Sequence, residues 1–340
     1  MASANINATT RELFLSTVKD SVFLRMALFT RMSEMRRITV VEGQNIQAPV
    51  DMAEMTALGQ SYSVNDPLTA GSMTMLSLPK FYWKYHQVPL SYTVEEKIMN
   101  GGSNQTQVVD FVKFLVKKGQ RASRLCLNKM MFAPSAGNTS DTDDTFQSIP
   151  DALTHDATYG TKTRATTVTN SWWQGASVSQ GFADQATALA PTLANFRTLV
   201  GAIDLNGGGK KGLLAICGTS NYQRLQAQCE AQTIYKPGPL ARYGTGFNSM
   251  IIDGIEIVEE PYLEQRASNP AYVTSMKYFF ILNLEDWELR LHPERAFHWE
   301  DFTYQGMVPN GTDSWLARIM LAGNLVCWRP AGSIFRTNVS

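Results

Sequence analysis

Charge of one sign is the first thing this chain lacks: 30 basic residues balance 30 acidic ones, for a formal net charge of +0 over 340 residues. A surface that wraps nucleic acid carries a marked basic excess, so any DNA nearby is expected to be contained and not gripped. Long apolar runs are missing as well. None approaches the roughly 20 residues a membrane-spanning helix needs, and the polar start Met1-Ala2-Ser3-Ala4-Asn5 has no basic stretch leading into an apolar core, so neither a membrane anchor nor a secretory signal is expected. Cysteine is sparse. Cys126, Cys217, Cys229 and Cys327 are scattered among apolar neighbours with no Cys-X-X-Cys pair, which excludes the common zinc and redox motifs and predicts buried free thiols.

Catalytic and cofactor motifs are absent in the same way. Gly207-Gly208-Gly209-Lys210-Lys211 resembles a phosphate loop, but Asp204 stands where the leading glycine belongs and Lys211 where Ser or Thr belongs. The stretch precedes a strand and reads as a turn. Of four histidines, His292 and His298 bracket Pro293-Glu294-Arg295, which is not the spacing that sets two imidazoles on one helical turn. No Gly-X-Ser-X-Gly elbow occurs. Acidic residues gather at Glu256, Glu259, Glu260 and Glu264 and at Asp141, Asp143 and Asp144. The first group is expected on a solvated strand edge, and the second lacks the glycine and the terminal glutamate of a calcium loop. No cofactor, no metal and no enzymatic activity are expected.

What is present is a succession of parts. Residues 1–42 form an arm, with Leu15, Val18, Val22, Met26 and Phe29 at near-helical spacing among Arg25, Arg31, Arg36 and Arg37. This pattern suits either a helix with a solvated basic face or a lasso laid across a neighbouring subunit. Residues 43–92 turn extended, with a turn at Asn65-Asp66-Pro67. Alternation places Phe81, Trp83 and Tyr85 on one face of a strand and Tyr82, Lys84 and His86 on the other. A lone hairpin cannot shelter aromatic groups on both faces, so Lys80 to Tyr85 are expected against a partner surface.

The longest helix is expected over 104–132. Asn104 would cap it, and the polar stripe Asp110, Lys113, Lys117, Arg121, Arg124 and Asn128 leaves a broad apolar face. After an irregular Thr-rich stretch ending in Trp172-Trp173, residues 190–275 alternate helix and strand. Helices are predicted around Leu193–Ile203 and from Thr219 or Ser220 to about Gln232, and strands at Leu213–Cys217 and Ile255–Val258. Residues 276–340 are read as strands, at Lys277–Leu282, Trp287–Leu291 and Leu316–Trp328.

This order of parts resembles the major capsid proteins of tailed bacteriophages, the Hong Kong 97-like fold. Tyr92-Thr93-Val94-Glu95-Glu96 leading through Asn100-Gly101-Gly102 into the long helix is similar to the family pattern. So are Ile252 to Val258, Phe280 to Asp286 followed by Leu289-Arg290-Leu291, and the closing Arg318, Gly323 and Pro330-Ala331. The resemblance implies an α+β fold with five parts: an N-terminal arm (1–42), an extended hairpin loop (43–92), a peripheral domain with its spine helix (93–189), an axial α/β domain (190–275), and returning C-terminal strands (276–340). It also implies a shell of pentamers and hexamers made in the host bacterial cytoplasm and carried in the virion. Its partners would be a separate scaffolding protein, a portal and packaged double-stranded DNA, with no membrane. The interface residues it implies are Arg25, Arg31, Arg36, Arg37, Pro67, Lys80, Phe81, Tyr82, Trp83, Lys84 and Tyr85. Two other readings stay open: an encapsulin-like compartment, and a hydrolase working through paired carboxylates.

Overall fold

The computed structural model describes residues 26–51, 61, 75–100, 111–132, 146–154, 158–164, 172–176, 190–205, 209, 211–232, 236–237, 249–260, 263, 278–306 and 311–336. Two sheets organise them. The first runs in the order Lys236–Pro237, Ser249–Ile252, Ile255–Glu259, Leu213–Cys217, Phe279–Asn283, Ile334–Arg336. All its pairings are antiparallel except that of Ile255–Glu259 with Leu213–Cys217. The central strand Leu-Leu-Ala-Ile-Cys is apolar at every position because both of its faces are covered, a pattern that alternation alone does not produce. Leu214 and Ile216 point into one core with Val258, Phe280, Leu282 and Phe335. Leu213, Ala215 and Cys217 point into a second core with Ile255, Ile257, Phe279 and Ile281.

Helices Leu193–Leu205 and Thr219–Gln232 close the second core through Phe196, Leu199, Ile203, Leu225 and Cys229. Burying each such side chain contributes about 1.5–3 kcal/mol. The two-residue connection Asp253-Gly254 has φ of 51° and 85°, the double left-handed turn that matches the twist of a tight hairpin and that Asp and Gly tolerate.

The second sheet is built on the long strand Ser314–Cys327. Lys84–Thr93 runs antiparallel along one side, from Ser314 opposite Thr93 to Gly323 opposite Lys84. Trp287–Leu291 and His298–Tyr304 share the other side, and Ile38–Val40 adds a parallel strand beyond Trp287–Leu291. Of the expected spine helix, Phe111–Phe132 is helical and residues 101–110 lie outside the described set. It crosses the sheet closely at Gly119, where a Cβ would meet Leu90 at 2.5 Å. Its end, Leu127, Met131 and Phe132, enters the first core, with the Phe132 and Phe280 rings 5.8 Å apart. Asn128, expected on the polar stripe, is instead buried, and its amide has no hydrogen-bond partner among the described residues.

Two expectations are corrected. The segment from Met26 to Val40 is part of the body, not a free arm. Helix Ala27–Glu34 buries Ala27, Leu28 and Met32 against the first core, ends in a 6→1 bond from Arg37 N–H to the Met32 carbonyl with Arg36 at φ 56°, and leads into Ile38–Val40. The carboxylates Glu256, Glu259 and Glu260 are buried and not a solvated edge. Glu256 and Glu34 both accept from the Arg31 guanidinium; burial pulls the Arg31 pKa down, but the two carboxylates outweigh it and hold it above its ordinary value. Glu260 accepts from Ala27 N–H at 3.4 Å, and Glu259 from the Thr219 hydroxyl at 2.7 Å. Buried carboxylates need such partners to remain charged, and these tie the N-terminal helix and helix Thr219–Gln232 to the axial sheet.

Candidate intersubunit surface

The extended hairpin leaves the body as one antiparallel ladder. Ile46 lies opposite Phe81, Gln47 opposite Lys80, Val50 opposite Ser77 and Asp51 opposite Leu76, so the register is constant along it. Between the two paired stretches sit Ala48-Pro49 and Leu78-Pro79. Proline has no N–H to donate, which splits the ladder into two short pieces. Residues 52–74 separate the two strands in sequence; apart from Ser61 they lie outside the described residues, and Pro67 with them.

The hairpin's base is clamped by a second small turn, Thr158–Tyr159 paired with Lys162–Thr163. Gly160 (φ 58°) accepts from Lys80 N–H at 3.0 Å, and a Cβ there would meet the Phe81 ring at 2.8 Å, so only glycine fits. Phe81 is fully buried, edge-on to Tyr159 (5.0 Å) and Trp328 (5.8 Å). Tyr159 in turn accepts from Cys327 N–H through its hydroxyl at 2.7 Å and from the Trp173 indole through its carbonyl at 2.9 Å. Trp173, fully buried, is a packed aromatic anchor.

The strand does not continue evenly through this point. Pairing stops at Tyr82-Trp83, where Asn324 donates to the Tyr82 carbonyl (3.0 Å) and the Trp83 indole donates to the Gly43 carbonyl (2.7 Å). Pairing resumes at Lys84 with the phase shifted. Phe81 and Lys84 therefore face inward, with Lys84 only 5% exposed, while Tyr82 and Tyr85 are 40% and 65% exposed. This corrects the expected alternation and removes Phe81 and Lys84 from the surface.

Arg31 and Arg37 are likewise used within the chain, Arg31 as described and Arg37 toward Glu288 at 3.8 Å. Arg36 is exposed and Trp83 half-buried, edge-on to His292 at 5.2 Å. Lys80 lies over the Tyr82 ring at 5.3 Å. Arg25 lies outside the described residues.

Among the described residues, the second strand of the hairpin presents apolar side chains outward, while Gln47 and Asp51 are exposed on the first. Leu76 and Leu78 are 64% and 51% exposed on the face opposite Ser77 and Pro79, and Met75, Tyr82 and Tyr85 are exposed as well. Exposed apolar surface of this kind marks an interaction site. Sequence reasoning passed over Leu76 and Leu78, although Leu-Ser-Leu-Pro carries the signal as alternation beside the aromatic run.

His86 sits on the strand Lys84–Thr93 opposite Leu321, its Nε2 buried without a partner among the described residues, and burial lowers its pKa. The neutral imidazole is the folded form, and the unfolded chain takes up the proton first. Stability is therefore expected to fall as pH drops below about 6.5. The acid-side slope of the denaturation midpoint should flatten in His86→Leu; an unchanged slope would contradict the assignment.

No protein-family model matches the chain, and no curated protein matches its sequence. Solved structures match its fold. The cyanophage A-1(L) capsid superposes with a TM-score of 0.66 at 12% identity, over 96% of this chain and 96% of that one. The capsid of the native GTA particle gives 0.57 at 8% identity, over 95% of each chain. The holo-SrpI encapsulin complex from Synechococcus elongatus PCC 7942 gives 0.51 at 10% identity, over 95% of this chain and 93% of that one. With an extended hairpin, a spine helix crossing one sheet and a helix-covered axial sheet, matched along nearly its whole length, the chain has the α+β Hong Kong 97-like fold.

Proposed function

We propose that this chain is the major capsid protein of a tailed bacteriophage, assembling as pentamers and hexamers into an icosahedral shell around double-stranded DNA. The observation that carries the reading is the hairpin: a ladder clamped at its base that leaves Leu76, Leu78 and Tyr82 exposed, on a fold shared with phage capsids. A partner copy is the economical cover for such a face, because identical subunits in closed rings repeat one contact throughout. The balanced charge suits containment of DNA without sequence-specific binding. A scaffolding protein and a portal would complete assembly in the bacterial cytoplasm, and the virion would be the final location.

A structural role, not an enzymatic one, fits the acidic residues: Glu256, Glu259 and Glu260 hold elements of the fold together, which argues against the hydrolase reading. An encapsulin-like compartment is the second reading, favoured by the likeness to the SrpI encapsulin. The contents decide between them. Purified particles treated with nuclease should retain protected double-stranded DNA; protein cargo with no DNA would establish the compartment instead.

Subunits are expected to remain free of covalent cross-links. Of the two hairpin lysines, Lys84 is buried in its own chain and Lys80 lies over the Tyr82 ring of its own chain. Particles boiled in detergent should give a single band near 37.8 kDa; a ladder of multiples would contradict this.

A further inference from the structure

Between the spine helix and the strand His298–Tyr304 lies an open cavity of about 670 Å³. That volume falls within the roughly 300–1,000 Å³ of pockets that enclose a small molecule. Its floor is Ile319, which forms a third, small core with Leu90 and Ala317. The rings packed over that core are only half-buried: Trp299 and Phe302 from the strand, edge-on to each other at 5.8 Å. Phe297 and Phe29 add two more half-buried rings to the wall. In the first core, by comparison, Phe81, Phe132 and Phe280 are fully buried. The third core therefore has aromatic walls and an unfilled centre.

Two details set this space apart from a plain surface groove. Ser123 of the spine helix lines it and is 1% exposed, and its hydroxyl has no partner among the described residues. A helical serine ordinarily bonds the carbonyl one turn back, and a buried hydroxyl left without any bond is costly. Phe297 lines the space from a left-handed backbone conformation, φ 55°. A bulky residue keeps such a conformation only where its surroundings impose it, and such positions gather at ligand clamps.

The walls also define what they would accept. The Trp299 indole already donates to Asp301 at 2.8 Å, so it has no free donor to offer. Arg124 and Asp301, the charged wall residues among those described, are both exposed and opposite in sign. A charged guest would leave water for aromatic walls with no buried counter-charge to receive it. We infer that the cavity is a binding site for a small, neutral aromatic alcohol. Its hydrocarbon body fills the space among the four rings, and its one hydroxyl pairs with Ser123 Oγ. Such a guest touches both the spine helix and the sheet and braces one on the other, whether the shell holds DNA or enzymes.

The test is calorimetric titration of the full-length protein with 4-pentylphenol and with pentylbenzene, which lacks only the hydroxyl. The phenol should bind at about one site per chain and at least about tenfold tighter, the worth of one net hydrogen bond. Ser123→Ala should weaken the phenol by about tenfold and leave pentylbenzene unchanged. In the unaltered protein, a 4-pentylphenol carrying a diazirine on its chain should label the tryptic peptide 296–318 on irradiation. Equal affinity for the two probes, or an unchanged ratio in Ser123→Ala, would overturn the alcohol as the guest. Label confined to peptides outside 296–318 and the spine helix, or no saturable binding of either probe, would overturn the site itself.

Discussion

Replacing residues 52–74 by a short Gly/Ser linker is expected to leave a folded subunit that no longer closes shells. The deletion keeps both described pieces of the ladder, the Gly160 clamp and the buried Phe81. Shortening the connection about fourfold changes loop-closure entropy by only roughly 1.2 kcal/mol, and in the favourable direction. The cooperative thermal transition should therefore persist, while particles disappear from light scattering and electron micrographs. The mutant separates two roles of the hairpin. If the removed residues belonged to the subunit's own core, the thermal transition would be lost. If they touched no neighbour, normal shells would form, and the assignment of residues 52–74 to subunit contact would be wrong.

The second large effect is expected at Asn324, fully buried in the long strand Ser314–Cys327. Its Oδ1 accepts from the N–H groups of Gln147 and Leu325, each at 3.0 Å. Its Nδ2 donates to the Tyr82 carbonyl at 3.0 Å and to the Gln147 side chain at 3.4 Å. One amide thus joins the base of the hairpin, the segment after the spine helix and the central strand. Asn324→Leu preserves size but strands several buried polar groups at about 1–3 kcal/mol each, so a total loss of about 3–5 kcal/mol is expected. For a chain of this size that lowers the melting temperature by roughly 10 °C. Urea denaturation should show the same loss, and a change below about 1 kcal/mol would mean that the network does not hold the hairpin's base.

In the axial sheet, Leu213–Cys217, Ile255–Glu259 and Phe279–Asn283 were legible from their apolar runs, while the strands Ser249–Ile252, Ile334–Arg336 and Lys236–Pro237 were not. Leu213–Cys217 is apolar without interruption and follows Gly212, and its neighbour Ile255–Glu259 follows Gly254, turn residues held at φ 77° and 85°. The described part of the spine helix, Phe111–Phe132, was legible from its period.

The hairpin base was not, and the reason is physical. Strand alternation carries through only if pairing is continuous, and here Asn324, far along the chain, takes the Tyr82 carbonyl and shifts the phase, exchanging Lys84 for Trp83 as an inward residue. The same holds for Glu256 and Glu260. Their partners, Arg31 and Ala27, stand more than two hundred positions away, so a local pattern of acids reads as solvated when it is a buried tie. Leu76 and Leu78 were within reach of the sequence, but the neighbouring aromatic residues drew the inference toward Phe81, which the body had already enclosed.

The central claim is that this fold is a shell-forming subunit, and imaging the purified protein tests it most directly. Negative-stain electron microscopy should show closed particles of uniform diameter, and their averages should contain five- and six-fold rings of this one chain. A preparation containing only compact monomers or small open oligomers, with the thermal transition intact, would contradict it.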